Sequence, residues 1–335
     1  MYIGEIGERE LIKKISALLA HDLPEGLLVG IGDDAAVTSI APGMCLVTTK
    51  DLLVEGIHFV RDGLTARELG YKSLAVNLSD IAAMGAKACY AYVAMAMPPN
   101  LSVEYVLDFY RGMKELADKY RVVISGGDTV GSPGPLVISV TVQGEVEKGR
   151  ALLRSGALPG DVLCTTGPLG ASAAGLSILL GETTEYDSEA GSQAMRSHKR
   201  PEPRIAEGIF LSGMGCVSAA IDISDGLLKD LSEICDASHC GAILEEKDIP
   251  IHPAASALAS LQGKDPLELA LSGGEDYEIL LCINPNSWER LEAAYRIHFD
   301  GMLYRFGQVS VDEGINMNTE AGYRKKLAFQ GYKHF

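Results

Sequence analysis

The sequence predicts an α/β chain built as two domains, and three observations carry that prediction. Its 335 residues exceed the size at which one core usually suffices. Short β-branched or aliphatic runs that end in small residues recur along it and read as buried strands: "GLLVGIG", "MCLVTTK", "RVVISGG", "LVISVTVQG", "DVLCTTG" and "AAIDIS". Helical patterns alternate with them. Thr65 and Glu68 form a capping box that opens a helix through about Met84. Ser102 caps the next, where Val103, Val106, Leu107, Tyr110 and Met113 make one apolar face. The charged, glycine-containing stretch at 145–161 separates two αβ-rich halves and sets domains at 1–148 and 149–335. The polar segment 181–203 reads as a long loop.

Composition narrows the function. With 45 acidic against 29 basic side chains the net charge is −16, which disfavours nucleic acid as a partner and leaves an anionic substrate in need of a metal or of local Arg and Lys. The first residues carry acids where a signal peptide carries bases, and the longest apolar run, Ala88–Met97, is too short to span a bilayer, so the expectation is a cytoplasmic protein off the membrane. Seven cysteines without a CxxC pair point to reduced thiols, and Cys235, His239 and Cys240 lack the further ligands of a zinc site.

Aspartates that follow apolar runs are the strongest chemical signal. Asp33 and Asp34 follow "LLVGIG", Asp51 follows "CLVTTK", Asp128 follows "VVISGG", Asp222 and Asp225 flank the end of "AAIDIS", and Asp80 lies in "NLSDIAAMG". In α/β sheets ligands gather beyond the carboxyl ends of strands, so residues there converge though distant in sequence. Two unit charges about 4 Å apart repel by about 4 kcal/mol at an effective dielectric of about 20, so such a cluster requires cations. Oxygen donors without a sulfur or imidazole cluster select hard cations, magnesium on a polyphosphate being the usual cellular case. Any one of these aspartates, taken alone, reads equally as a turn former or helix N-cap. Only their number makes the case.

The stretches "SGGD" at 125–128 and "SGGED" at 272–276 can offer backbone N–H groups to phosphate oxygens, or simply turn the chain. No P-loop, complete dinucleotide fingerprint, protein-kinase signature or GxSxG elbow is present, so an ATP-using enzyme of this sequence handles phosphate mainly through metal-bound aspartates. His58 in "VEGIHF" is either a substrate contact or a half-buried histidine satisfied by a backbone group, and Tyr332 in "GYKHF" is equally a packing anchor.

Taken together, "GIGDDAAV", "KDLLVEGIHF", "NLSDIAAMGA", "SGGDTVG", "LRSGALPGD", "RPEPR", "IDISDGLLKDL", "LSGGEDYEILL" and the terminal "GYKHF" resemble the thiamine-monophosphate kinase family in order and spacing, over nearly the whole chain. Some of these motifs are shared more loosely with aminoimidazole-ribotide synthetase, selenophosphate synthetase and a carbamoyl-dehydrating hydrogenase maturation protein. The resemblance implies a two-domain aminoimidazole-ribotide synthetase-like fold, with an N-terminal metal- and ATP-binding domain that pairs through its sheet into a homodimer and a C-terminal α/β domain that completes the active site. It implies direct transfer of the ATP γ-phosphoryl to thiamine monophosphate, giving thiamine diphosphate, with several Mg2+ ions. By motif, Asp34, Thr49, Asp51, Asp80, Asp128, Asp222 and Asp225 would hold metal, with Asp128 and Asp225 catalytic. Tyr110, Gly127, Arg154 and Ser224 would contact ATP, and His58, Glu275 and Tyr332 the thiamine monophosphate. Asp33 would support the turn beside Asp34. The chain departs from the family at Lys50, where a Ser or Thr commonly stands.

Two rival readings remain: another ATP-using enzyme of the same superfamily, aminoimidazole-ribotide synthetase-like, which "VEGIHF" and "GGEDYEI" disfavour, and a non-catalytic protein that binds divalent cations or a nucleotide. Selenophosphate synthetase would need a reactive cysteine or its equivalent before Gly30, and the carbamoyl-dehydrating protein a C-terminal one; the sequence has neither. A non-catalytic cation-binding protein is disfavoured by the absence of DxDxDG calcium spacing.

Overall fold

The computed structural model describes residues 1–19, 26–31, 35–184, 186–299 and 301–327. The chain divides into two compact units: Met1–Ile81 with Ala86–Gly149, and Ala82–Gly85 with Arg150–Phe335. Both are mixed α/β, as the sequence predicts.

The first unit runs α1 (Ile3–Ile6), α2 (Glu8–Leu19), β1 (Leu27–Val29), β2 (Val37–Thr38), β3 (Met44–Val54), α3 (Ala66–Ala83), β4 (Lys87–Met97), α4 (Val103–Tyr120), β5 (Val123–Gly131) and β6 (Val137–Glu147). Strands β1 and β2 pair alone, and the main sheet has the order β3-β6-β4-β5. The predicted helix starts are present. Thr65 N donates to Glu68 Oε2 at 2.8 Å and Glu68 N to Thr65 Oγ1 at 3.2 Å, while Ser102 Oγ accepts from Tyr105 N at 3.0 Å. On α4 the buried face is Val103, Val106, Phe109, Tyr110, Met113 and Leu116, so Phe109 takes the place expected of half-buried Leu107. Ala88–Met97, which composition marked only as apolar, is β4.

The strand reading of 44–50 needs correction in one respect. β3 is an edge strand, and its burial alternates weakly, with Leu46 43% and Leu52 52% exposed. Apolar composition there reflects a surface that its own unit leaves uncovered, not a core strand.

The second unit runs β7 (Val162–Thr165), α5 (Ala171–Leu179), α6 (Ser188–Lys199), α7 (Ile205–Met214), β8 (Val217–Asp222), α8 (Leu227–Ser238), β9 (Gly241–Glu245), α9 (Pro253–Gln262), α10 (Pro266–Ser272), β10 (Ile279–Ile283), α11 (Trp288–His298), β11 (Tyr304–Ser310), β12 (Gly314–Asn318) and β13 (Arg324–Leu327). Its sheet has the order β13-β12-β9-β11-β7-β10-β8. Leu163, Ile221, Leu231, Leu244, Leu280 and Phe306 build the core between sheet and helices. The expected loop 181–203 instead contains α6. Asp187 caps it through Glu189 N and Ala190 N, and Gly191, Ala194 and His198 are buried at spacings of three and four. Its polar composition hid a narrow inward stripe.

Both sheets are largely antiparallel, the parallel pairs being β4–β5 and β9–β12. Asp51 and Asp128 lie inside β3 and β5 rather than beyond their ends, because pairing with β6 and β4 runs past both residues. Among the described residues no helix is long and apolar enough to cross a membrane, and all seven cysteines are free.

Candidate active site

In the first unit the site residues gather on β3, α3 and β5. Strand alternation points Thr49 and Asp51 to one face of β3 and Lys50 to the other, so Lys50 takes no position from the Thr49–Asp51 pair. The cross-strand register sets Asp51 opposite Val140, Val140 opposite Val93 and Val93 opposite Gly127, one row across the sheet. Helix α3 is buried along most of its length, polar residues included: Lys72, Ser73, Asn77 and Ser79 are each at most 1% exposed. Ser73, Asn77 and Asp80 fall at i, i+4 and i+7 and share one face. From that face Asp80 Oδ2 accepts the Thr49 hydroxyl, and Asn77 Oδ1 accepts Asp51 N at 3.2 Å. Burial, and then the neighbouring Asp80 charge, push the Asp51 carboxyl up to about 7.

That environment fits a hard divalent cation. The donors are all oxygen, two of them carboxylates whose repulsion a cation would relieve. Among the described residues no group of three or more His, Cys, Asp or Glu side chains converges as a metal-holding set. Asp33 and Asp34 lie outside the described residues.

Tyr110, Gly127 and Asp128 line a cleft of about 90 Å³ with Ile15, Leu19 and Ile31. Tyr110 is buried, its ring edge-on to Phe109, and desolvation holds its phenol well above the usual range. Gly127 is required by close approach, since a Cβ there would stand 1.9 Å from Val93 O. Asp128 is exposed and accepts Thr129 N at 2.9 Å. His58 is half-buried, and its Nδ1 accepts Val54 N at 3.0 Å, the backbone-satisfied arrangement weighed above.

In the second unit two loops zip together. Ile223 N donates to Glu278 O at 2.8 Å, Tyr277 N to Ile223 O at 2.9 Å, and Glu275 N to Ser224 O at 2.8 Å. Asp222 ends β8 opposite Ile279 and is buried, whereas Asp225 is exposed. The turn carrying Ser224 and Asp225 is organised by a residue that the motif reading overlooked. Asp230, in the first turn of α8, accepts Ser224 N, Asp225 N and Gly226 N on Oδ2 at 3.0, 3.1 and 3.1 Å. Burial and the Asp225 charge push it up to about 7.

The 273–278 loop is held as tightly, with Glu275 and Tyr277 in left-handed backbone at φ 64° and 53°. Asp276 accepts Gly170 N at 2.6 Å and Ser172 N at 3.2 Å, tying the loop to the start of α5; burial pushes it, too, up to about 7. Glu275 Oε2 lies 3.2 Å from His198 Nδ1. Glu278 accepts Arg204 Nε at 2.8 Å, Arg204 Nη2 at 2.5 Å and Thr166 Oγ1 at 2.6 Å. Burial opposes the Arg204 cation, but Glu278 and Glu207 outweigh it and keep the guanidinium above its ordinary value. Arg154 is exposed, 4.0 Å from Glu233. Tyr332 lies outside the described residues.

Spacing could have found Asn77, four residues after Ser73, and Asp230, an acid in the first turn after "SDG". His198 reaches Glu275, and Arg204 reaches Glu278, only through tertiary packing.

The family model described as AIR synthase related protein, N-terminal domain, matches residues 32–146, and the one described as AIR synthase related protein, C-terminal domain, matches 159–312. The chain is 41% identical to the thiamine-monophosphate kinase of Bacillus subtilis (strain 168), over 98% of this chain and 99% of that one. The thiamine-monophosphate kinase from Stenotrophomonas maltophilia K279a superposes with a TM-score of 0.80 at 34% identity, covering 93% of this chain and 96% of that one. A structure described as AaThiL complexed with AMPPCP and TMP superposes with a TM-score of 0.78 at 30% identity, covering 100% and 99%.

Proposed function

This chain belongs to the thiamine-monophosphate kinase family, and from that membership we propose that it transfers the γ-phosphoryl group of ATP directly to the phosphate of thiamine monophosphate, giving thiamine diphosphate and ADP. The observation that carries the reading is the likeness, over essentially the full length of both chains, to a protein complexed with AMPPCP and TMP.

The acceptor is already an anion, so the reaction demands alignment and charge neutralisation more than a strong base. Asp34, Thr49, Asp51, Asp80 and Asp128 in residues 1–148 and Asp222 and Asp225 in residues 149–335 would hold several Mg2+ ions, whose charge would offset that of the polyphosphate. Asp128 and Asp225 are the catalytic carboxylates of this reading. Tyr110, Gly127, Arg154 and Ser224 bind the nucleotide, and His58, Glu275 and Tyr332 hold thiamine monophosphate. The Asp230 and Asp276 carboxylates support the reading by bracing the Ser224–Asp225 and Glu275 loops, so that these groups need little reorganisation when substrate arrives.

The same reading includes a cytoplasmic homodimer whose N-terminal sheets pair, and the exposed apolar residues of edge strand β3 support it. Its test is ATP consumption that depends on both Mg2+ and thiamine monophosphate, with thiamine diphosphate identified as product. Turnover indifferent to thiamine monophosphate would reject it. After acid quench with γ-labelled ATP no label should stay on the protein, and a trapped phosphoprotein would overturn direct transfer.

A further inference from the structure

His198 belongs to none of the groups assigned above. It is 4% exposed, near the end of α6, and its Nδ1 lies 3.2 Å from Glu275 Oε2 and 3.1 Å from Ser172 Oγ on α5. Helix α6 can come this close because residue 175 of α5 is glycine; a Cβ there would stand 2.2 Å from Ala194 O and 3.0 Å from His198 Cβ. The imidazole is thus seated by backbone packing.

Chemistry then fixes its tautomer. A carboxylate oxygen only accepts, so an Nδ1 lone pair facing Glu275 would be repelled; Nδ1 therefore carries the hydrogen and donates it. Ser172 Oγ, on the same nitrogen, is the second acceptor of that hydrogen. Glu275 is held from three sides: its own N on Ser224 O, the adjacent Asp276 on the start of α5, and its carboxylate on His198. The Glu275 side chain nevertheless keeps 30% of its surface exposed.

We infer that His198 is a positioning residue for substrate recognition: its Nδ1–H holds the Glu275 carboxylate aimed, so that it meets the cationic thiazolium ring rather than the phosphate of thiamine monophosphate. This rests on the kinase reading and deepens it. An anionic carboxylate complements the permanent positive charge of the ring and repels the phosphate, and a buried donor from a packed helix restricts where that charge can go.

The test compares wild type with His198→Leu, which removes the donor at similar volume, and His198→Asn, whose Nδ2 stands near the place of Nδ1. Steady-state kinetics and calorimetric titration with thiamine monophosphate should show KM and Kd for thiamine monophosphate raised about ten- to one hundredfold in His198→Leu, while KM for ATP stays within about threefold. His198→Asn should recover most of the loss. An analogue whose thiazolium is replaced by a neutral thiophene should bind wild type and His198→Leu alike. Equal changes in both KM values, no change in either, or identical behaviour of the Asn and Leu variants would overturn the inference. If His198→Leu does not fold, His198→Gln, whose amide cannot occupy the Nδ1 place, serves as the donor-free variant. Wild-type protein that neither binds nor phosphorylates thiamine monophosphate would reject the kinase reading itself, a result separate from any difference among the variants.

Discussion

Replacing Glu278 by Gln should cost about 3 kcal/mol of stability, the lower end of the range of about 3–5 kcal/mol for breaking a buried ion pair. Glu278 is 5% exposed and accepts two hydrogen bonds from Arg204 and one from Thr166. An amide of the same shape keeps at most part of this set and turns an NH2 group toward a cation that has lost its partner. The lower end applies because Glu207 Oε1 remains 3.6 Å from Arg204 Nη1. For a unit of this size that loss corresponds to a Tm about 6–12 °C lower. The protein's single tryptophan, Trp288, opens α11 in the second unit, so its fluorescence during urea unfolding reports on that unit without relying on a two-state transition of the whole chain. A double variant, Arg204→Met with Glu278→Met, should recover at least about 1 kcal/mol of that loss, because the two charges leave together and only Glu207, its side chain 16% exposed, loses a partner. A loss below about 1 kcal/mol for Glu278→Gln, or a double variant as unstable as the single one, would refute the assignment of the pair as a desolvated, mutually dependent unit.

Asp230→Ala removes the acceptor of three backbone N–H groups and should lower kcat at least tenfold while the tryptophan-detected transition shows a stable fold; unchanged kcat would mean that the Ser224–Asp225 turn holds its shape unaided. The raised Asp51 value gives a signed pH effect. Because its folded pKa, about 7, exceeds the unfolded 3.8, the carboxyl favours the folded state fully below the unfolded value, and that contribution is lost as pH rises through about 7. In EDTA, then, Asp51→Asn should gain thermal stability relative to wild type between pH 5 and 8, and Mg2+ should reverse the order; a gap that stays constant with pH would contradict the desolvation of Asp51 and its repulsion by Asp80. Gly127→Ala forces a carbon against Val93 O and should destabilise the first unit by about 1–3 kcal/mol or more while weakening ATP binding, as melting and nucleotide titration would reveal.

Local signals in the sequence were reliable where short-range chemistry decides the outcome. The Thr65–Glu68 box and the Ser102 cap are present because a side-chain hydroxyl meets the free N–H three residues on in any context, and at Thr65 the Glu68 carboxylate returns the bond. Helix α6 was illegible because its inward stripe is glycine, alanine and histidine, residues that carry little apolar signal, and its burial depends on Gly175 of another helix. The candidate site divides in the same way. Aspartates after apolar runs are visible in the sequence, but that Asp51 and Asp128 lie within strands follows from how far β3 pairs with β6 and β5 with β4, which no local pattern declares. The bracing contacts of Asp230, Asp276, Arg204 and His198 either fold back from a helix onto its preceding turn or span dozens of residues.

Two residues with side chains, Glu275 and Tyr277, occupy backbone conformations that suit glycine better. Engineering for heat resistance will meet this loop as an apparent defect. A library ranked by survival at high temperature should be drawn toward glycine at 275, relaxing the backbone while erasing the carboxylate, whereas one ranked by turnover should hold glutamate there. Position 275 is thus a place where selection for endurance and selection for work pull the sequence in opposite directions, and a stabilised descendant that has kept this glutamate will have found its stability elsewhere.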